Sequence, residues 1–437
     1  MLAILKNRTY RHLFAAQVIA LIGTGLATVA LGLLAWELAG ENAGLVLGTA
    51  LAIKMVAYVT LAPIASAFAD RVPRRAMLAT LDLIRAVVAL ALPFVSEVWH
   101  IYVLIFLLQA ASAGFTPTFQ ATIPDVLPDE DEYTRALSLS RLAYDLESLL
   151  SPMLAAALLS VVSFPVLFGG TVIGFVASAA LVLSVRLPAS QEGKARGIWD
   201  RTTRGIRLYL ATPRLRGLLA LSLTVSAAGA MVIVNTVVLV KSTLGLGETE
   251  VALALGTFGG GSMIAALGLP RLLNRVEDRT AMMVGAGLLA GVTALGPLVG
   301  SFPALLALWA VLGFGYSLTQ TPAGRLLRRS AHPEDRPAIF AAQFALSHAC
   351  WLLTYPLAGW MGAVFDMTPT FLVMAGLAAL GVLIARQVWP APDVSEVAHT
   401  HPDLPADHPH LQNHPSNIHR HAVVIDDLHK TWPAAGP

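Results

Sequence analysis

Ser66-Ala67-Phe68-Ala69-Asp70-Arg71-Val72-Pro73-Arg74-Arg75 is a short charged stretch set between two long apolar runs, near residues 43–69 and 75–96. Each run is long enough to cross a bilayer as a helix, which takes about 20 mostly apolar residues. The stretch between them carries Arg71, Arg74, Arg75 and a proline, so it lies outside the hydrocarbon and marks one membrane face. Working outward, further apolar runs fall near 12–37, 99–124, 135–162, 164–186, 215–241, 247–272, 280–300, 302–324, 337–364 and 368–388. The pattern predicts an all-α membrane protein with twelve transmembrane helices.

Composition agrees. Of 437 residues, 56% are hydrophobic and 13% charged, with a mean hydropathy of +0.68. A soluble domain carries roughly a quarter charged residues, so much of this surface faces lipid. A net charge of +2 gives no reason to expect nucleic acid as a partner. Cys350 is the single cysteine, which excludes an intrachain disulfide and a cysteine-based zinc site. The first apolar run follows Lys6, Arg8 and Arg11 and shows no small-residue cleavage site after it, so it reads as a span rather than a signal peptide.

Positive charge orients the helices. Arg71, Arg74 and Arg75, the group from Lys194 to Arg216, and Arg325, Arg328 and Arg329 all fall on one side, which places both termini in the cytoplasm. The chain also repeats itself at an offset of 204–205 residues. Asp70-Arg71 corresponds to Asn274-Arg275, Thr116-Pro117 to Thr321-Pro322, Pro128-Asp129 to Pro333-Glu334, and Pro152 to Pro356. The expected organisation is two six-helix pseudo-repeats, 1–186 and 215–389, joined by a basic linker at 187–214 and followed by a tail at 390–437. Such halves are suited to rocking about a central site.

The quoted stretch resembles the cytoplasmic signature loop of the major facilitator superfamily: a glycine, Asp-Arg, a second glycine and two basic residues. Here the glycines are replaced by Ser66 and Pro73. The resemblance implies a major facilitator fold and a conformational gate at Asp70, Arg71, Arg74 and Arg75. Exporters of this superfamily carry a Gly-Pro pair on the fifth helix, where this chain has Ser151-Pro152, and many drug antiporters carry an arginine on the fourth, where it has Gln109 and Gln120.

Ionisable residues inside a bilayer are costly unless paired or wet, and so mark function. Lys54 stands near the middle of the second run and His348 at similar depth in the eleventh. Asp145 and Glu147 stand 10–12 residues into the fifth, about 16 Å deep at 1.5 Å per residue. Two residues apart, they cannot share a helix face. One is expected to face a cavity and carry a proton or contact a cation, while the other meets Lys54 or Arg141. Asp82 and Arg85 are spaced to pair with one another.

The tail holds His399, His401, His408, His410, His414, His419, His421 and His429 among prolines and aspartates. Imidazole with some carboxylate suits nickel, cobalt, zinc or copper(II), while the proline-rich spacing argues against a packed domain, so the tail is expected to be disordered. A superfamily core with a histidine-rich tail resembles the bacterial nickel-resistance exporters. That implies a multi-pass transporter of the bacterial inner membrane, monomeric, expelling a divalent metal ion in exchange for protons. The alternatives are an exporter of an organic solute such as a drug or siderophore, with an incidental tail, and a membrane metal sensor that transports nothing. With no nucleotide-binding loop and no nucleophile-and-base set, neither an enzyme nor a cofactor is expected.

Overall fold

The computed structural model describes residues 2–40, 43–68, 71–188, 197–389, 391, 393, 396–399 and 419–432. Six long helices form the first half: α1 (Arg8–Ala39), α2 (Ala43–Ser66), α3 (Arg74–Ala91), α4 (Val98–Val126), α5 (Glu130–Leu159) and α6 (Phe164–Leu183). After α7 (Ile198–Ala211), the second half comprises α8 (Pro213–Val237), α9 (Glu248–Leu272), α10 (Asp278–Ala294), α11 (Phe302–Gln320), the short α12 (Ala323–Arg329), α13 (Arg336–Val364) and α14 (Met367–Val388). Ten of these helices are long and apolar enough to cross a membrane by length and composition. The other two long ones are α5, which carries Arg141, Asp145 and Glu147 inside it, and α10, which has 17 residues.

Local chemistry sets the ends. Asn7 accepts from Tyr10 N at 3.1 Å and Asp129 from Glu132 N at 2.9 Å, so α1 and α5 begin on side-chain caps. Pro93 and Pro297 turn the last residues of two apolar runs into 3-10 turns, so α3 and α10 stop short of the sequence-based boundaries. The run expected at 302–324 divides at Thr321-Pro322 into α11 and α12. The expected polar linker contains α7, an amphipathic helix that buries Leu208 and Tyr209.

The two halves repeat one packing scheme, with α1 and α3 against α6, and α8 and α10 against α14. Close approach depends on small residues. A Cβ on Gly261 would run into the Ala310 carbonyl and one on Gly313 into the Phe258 carbonyl, so both glycines are needed where α9 and α11 cross. The halves meet along α2 with α13 and α5 with α9. The start of α1 and the end of α14 lie on one face, called here the terminus face: Ile4 packs with Leu127 and Tyr133 at the α4–α5 turn, and Trp389 packs against Gly217 at the start of α8.

The tail departs from the expectation over part of its length. Glu396–His399 and His419–Ala422 pair as antiparallel strands β1 and β2, with His399 opposite His419. Val423 and Ile425 are buried against the second half, whose apolar surface at α7, α8 and α13 gives the segment a core to join. His401, His408, His410 and His414 lie outside the described residues.

Candidate functional site: charges at mid-bundle and on the terminus face

Arg141 and Asp145 stand four apart on α5, so they share a helix face and pair. Arg141 Nε donates to Asp145 Oδ2 at 3.2 Å, and a second contact joins Nη2 to Oδ1. The pair reaches the other half: Ser262 Oγ of α9 donates to Asp145 Oδ2 at 2.6 Å and accepts from Arg141 Nε at 3.1 Å. The Arg141 guanidinium also lies over the Tyr316 ring of α11, 4.6 Å from its centre. Asp145, 3% exposed, is thus a buried tie between halves.

Glu147 faces elsewhere, as the spacing requires. Its Oε1 lies 2.7 Å from where a Cβ on Gly25 of α1 would sit, and the Ser151 side chain comes closer still, so that glycine leaves room for both. Lys54 of α2 is the cation whose field acts on it. Lys54 Nζ stands 5.6 Å above the Tyr58 ring. Tyr58 donates to Gln109 Oε1 of α4 at 2.8 Å, and its ring meets Phe344 at 4.7 Å and His348 at 4.8 Å on α13. His348 Nδ1 lies 2.6 Å from the Phe344 carbonyl, an acceptor only, which puts the ring hydrogen on Nδ1. Lys54, Glu147 and His348 therefore belong to one half-buried polar and aromatic region, and Asp145 to another.

Asp82 and Arg85 form the expected ion pair on α3. Ser178 Oγ donates to Asp82 Oδ2 at 2.7 Å, and the Arg85 guanidinium is held between Phe115 and Phe175 at 4.0 and 4.5 Å. Asn235 donates to the Ala358 carbonyl at 3.2 Å and ties α8 to α13.

On the terminus face, Arg74 Nη1 meets Asp125 Oδ2 at 2.5 Å, and Asp125 also bonds Arg336 of the other half. Arg325 bridges the halves a second time, reaching Glu130 at 2.6 Å, Thr134 at 2.9 Å and Asp278 at 3.2 Å. Arg328 donates to the Pro128 carbonyl. Arg75 donates to the Leu183 carbonyl within its own half, and Arg71 lies over Phe68 at 5.9 Å. Asp70 lies outside the described residues. Sequence reasoning missed Asp125, though an acid at the end of the fourth apolar run, on a face crowded with arginine, was a visible signal.

Among the described residues, no group of three or more His, Cys, Asp and Glu side chains is gathered closely enough to hold a metal ion. His399, His419 and His421 lie on the β1–β2 backbone, and His429 is buried with Nδ1 3.2 Å from Asp426 Oδ1.

Comparison with known proteins fits this architecture. Macrolide efflux protein A of Streptococcus pyogenes is 26% identical over 181 residues, or 40% of this chain and 44% of that protein, so the match spans less than half of the relative. The human organic anion transporter MFSD10 superposes with a TM-score of 0.75 at 13% identity, over 87% of this chain and 99% of that one. A bacterial homologue of the iron transporter ferroportin, in an outward-facing state, superposes with a TM-score of 0.73 at 15% identity, over 87% and 99%. The family model of the Major Facilitator Superfamily matches residues 13–236 and 218–406. With a match to each six-helix half and the helical fold to go with it, the chain belongs to the Major Facilitator Superfamily of membrane transporters.

Proposed function

We propose that this transporter exports an amphipathic organic compound from a bacterial cell by alternating access, with both termini in the cytoplasm. The observation that carries the reading is the likeness to macrolide efflux proteins, a partial one in length. The mid-bundle region suits such cargo: Tyr58, Phe344 and His348 offer ring surface, while Lys54 and Glu147 offer charge to orient a polar group. Glu147 is the candidate proton carrier, because it is half-buried, stands apart from the inter-half tie and has a lysine for company. In this reading the chain works as a monomer, and the ties on the terminus face break as that face opens.

A second reading, export of a divalent metal such as nickel, cobalt or zinc, is favoured by one observation, the eight tail histidines with His399 set opposite His419. It stands behind the first because the described mid-bundle gathers no set of metal-ligating side chains.

The test is accumulation of a labelled macrolide and, separately, of nickel. Cells making the intact chain are compared with cells making Glu147→Gln and with empty cells. Lower macrolide content with the intact chain alone supports the first reading. Lower nickel with unchanged macrolide puts the metal reading in its place, and no difference for either cargo, with the protein in the membrane, removes both.

A further inference from the structure

The terminal segment 423–432 is seated in the second half at a place that touches the gate from behind. Val423 and Ile425 are 1% and 3% exposed, and Ile425 joins a cluster containing Tyr209, Leu327, Phe340 and Trp389. Arg214 of α8 donates to the Val423 carbonyl at 3.4 Å and lies over the Trp432 ring at 5.2 Å. Asp426 accepts from the backbone of Leu428 and His429 at 2.8 and 2.6 Å, a turn that presents its other oxygen 3.3 Å from His332 Nε2.

The next residue carries the consequence. Asp427 Oδ1 lies 3.0 Å from Nη1 of Arg204 on α7. The same guanidinium grips Asp335 with both remaining nitrogens, Nε to Oδ1 at 2.5 Å and Nη2 to Oδ2 at 2.7 Å. A two-pronged grip of this kind fixes orientation as well as position. Asp335 stands immediately before α13, and Arg336, its neighbour in the chain, is the residue that crosses to Asp125 and so to Arg74 of the first half. An unbroken series of contacts thus runs from the tail through α7 and the α13 entrance to the opposite half.

We propose that residues 423–432 act as a clasp that holds the gate on the terminus face shut. While the segment is docked, Arg204 has a carboxylate on each side, and the α13 entrance is fixed in the orientation that aims Arg336 at Asp125. When the segment leaves, Arg204 turns to solvent on the Asp427 side, Val423 and Ile425 no longer close the apolar cleft, and the gate opens more readily. The clasp rests on the rocking of the two halves and not on the identity of the cargo, so it stands or falls separately from the choice between macrolide and metal.

The test is a distance measurement between spin labels at Val72→Cys and Arg275→Cys, exposed loop positions in the two halves, in a Cys350→Ser background. Three forms of the full transporter are compared: intact, ending at residue 422, and full-length with Val423→Asp and Ile425→Asp. In detergent or nanodiscs, and without cargo, the two undocked forms are expected to raise the ratio of long to short distances by roughly fivefold or more, the scale of ordinary coupling between sites. Asp427→Asn takes the charge from the Arg204 contact at a partly exposed position and keeps the fold, so it should move the ratio the same way by less. The same distance distribution in all forms overturns the clasp, and so does a shift toward shorter distances.

Discussion

Asp278 holds in the second half the place that Arg74 holds in the first, 204 residues earlier, and the two carry opposite charges. Arg74 pairs with Asp125 after α4; Asp278 pairs with Arg329, which stands 204 residues after Asp125. One ion pair has thus been kept in both repeats with its charges exchanged. The exchange has a use at a face where the repeats meet. Each pair is joined to the opposite half by an arginine of the second half: Asp125 receives Arg336, and Arg325, beside Asp278, meets Glu130 of the first.

Asp125→Asn therefore removes charge from two contacts at once and leaves buried Arg74 without its partner. Only the Arg336 contact crosses between the halves and so bears on the closed state; a hydrogen bond to a charged group contributes about 1.5–3 kcal/mol, so that state should lose ground by roughly 10- to 100-fold. Leu137 lies at the seam, beside Gly324 of the other half. A cysteine there, in the Cys350→Ser background, is expected to react with a soluble thiol reagent faster in Asp125→Asn by that factor. An unchanged rate means that these contacts do not hold the gate.

Asp145 and Glu147 were indistinguishable in the sequence beyond not sharing a face, and the structure gives them different neighbours. Asp145→Asn keeps the shape of the side chain but leaves Arg141, which also touches Ser262 and Tyr316, without its counter-charge. Transport should fall tenfold or more, since breaking a buried pair costs about 3–5 kcal/mol. Ser262→Ala keeps the ion pair and removes only the hydroxyl that donates to Asp145 and accepts from Arg141, worth about 1 kcal/mol net, and should cost roughly fivefold. Glu147→Gln should lose dependence on the pH gradient. If Asp145→Asn loses that dependence and Glu147→Gln keeps it, the assignment of the proton carrier is reversed.

Asp82→Asn separates structure from transport. With Ser178 and two phenylalanine rings completing its surroundings, the Asp82–Arg85 pair is closed on every described side. Removing the charge strands Arg85, and the expected loss is about 3–5 kcal/mol of stability. It should appear as a lower thermal midpoint, with cargo preference unchanged in whatever protein remains folded. A changed preference would give this pair a place in the cargo site.

Helix number and the duplication were legible because hydrophobic length and a fixed offset are one-dimensional signals. Boundaries were less so: Pro93, Pro297 and Pro322 cut apolar runs that hydropathy alone left whole. Asp82 with Arg85 could be read because both partners lie within one turn of one helix. Ser262, Tyr316 and Arg336 could not, because each meets its partner across the gap between halves, and only the relative rotation of two bundles decides which residues face it. The terminal segment was misjudged for a related reason. Its composition is polar and proline-rich on average, but Ile425 and Trp432 are spaced to fill a cleft that another part of the chain creates, with Val423 buried nearby.

The docked segment should also respond to pH through His332. The hydrogen bond to Asp426 holds the imidazole above its ordinary value of 6.5, burial works against this, and the neighbouring Asp426, Glu334 and Asp335 charges reinforce it. Asp426 is held well below the usual carboxylate range; burial would raise it, but the hydrogen bonds from His332 and His429 outweigh that. A histidine raised on docking contributes fully below its undocked value, and the contribution fades as pH climbs through the raised one. The carboxylate's contribution is lost only in acid, below the range in which His332 titrates. Between about pH 6 and pH 8, then, docking should weaken as pH rises. Hydrogen exchange at the amides of residues 423–432, corrected for intrinsic base catalysis, should show protection falling across that interval in the intact chain. In His332→Gln the protection should be lower at the acid end and nearly flat. Protection that rises with pH, or a slope that survives His332→Gln, would mean that another group governs the tail.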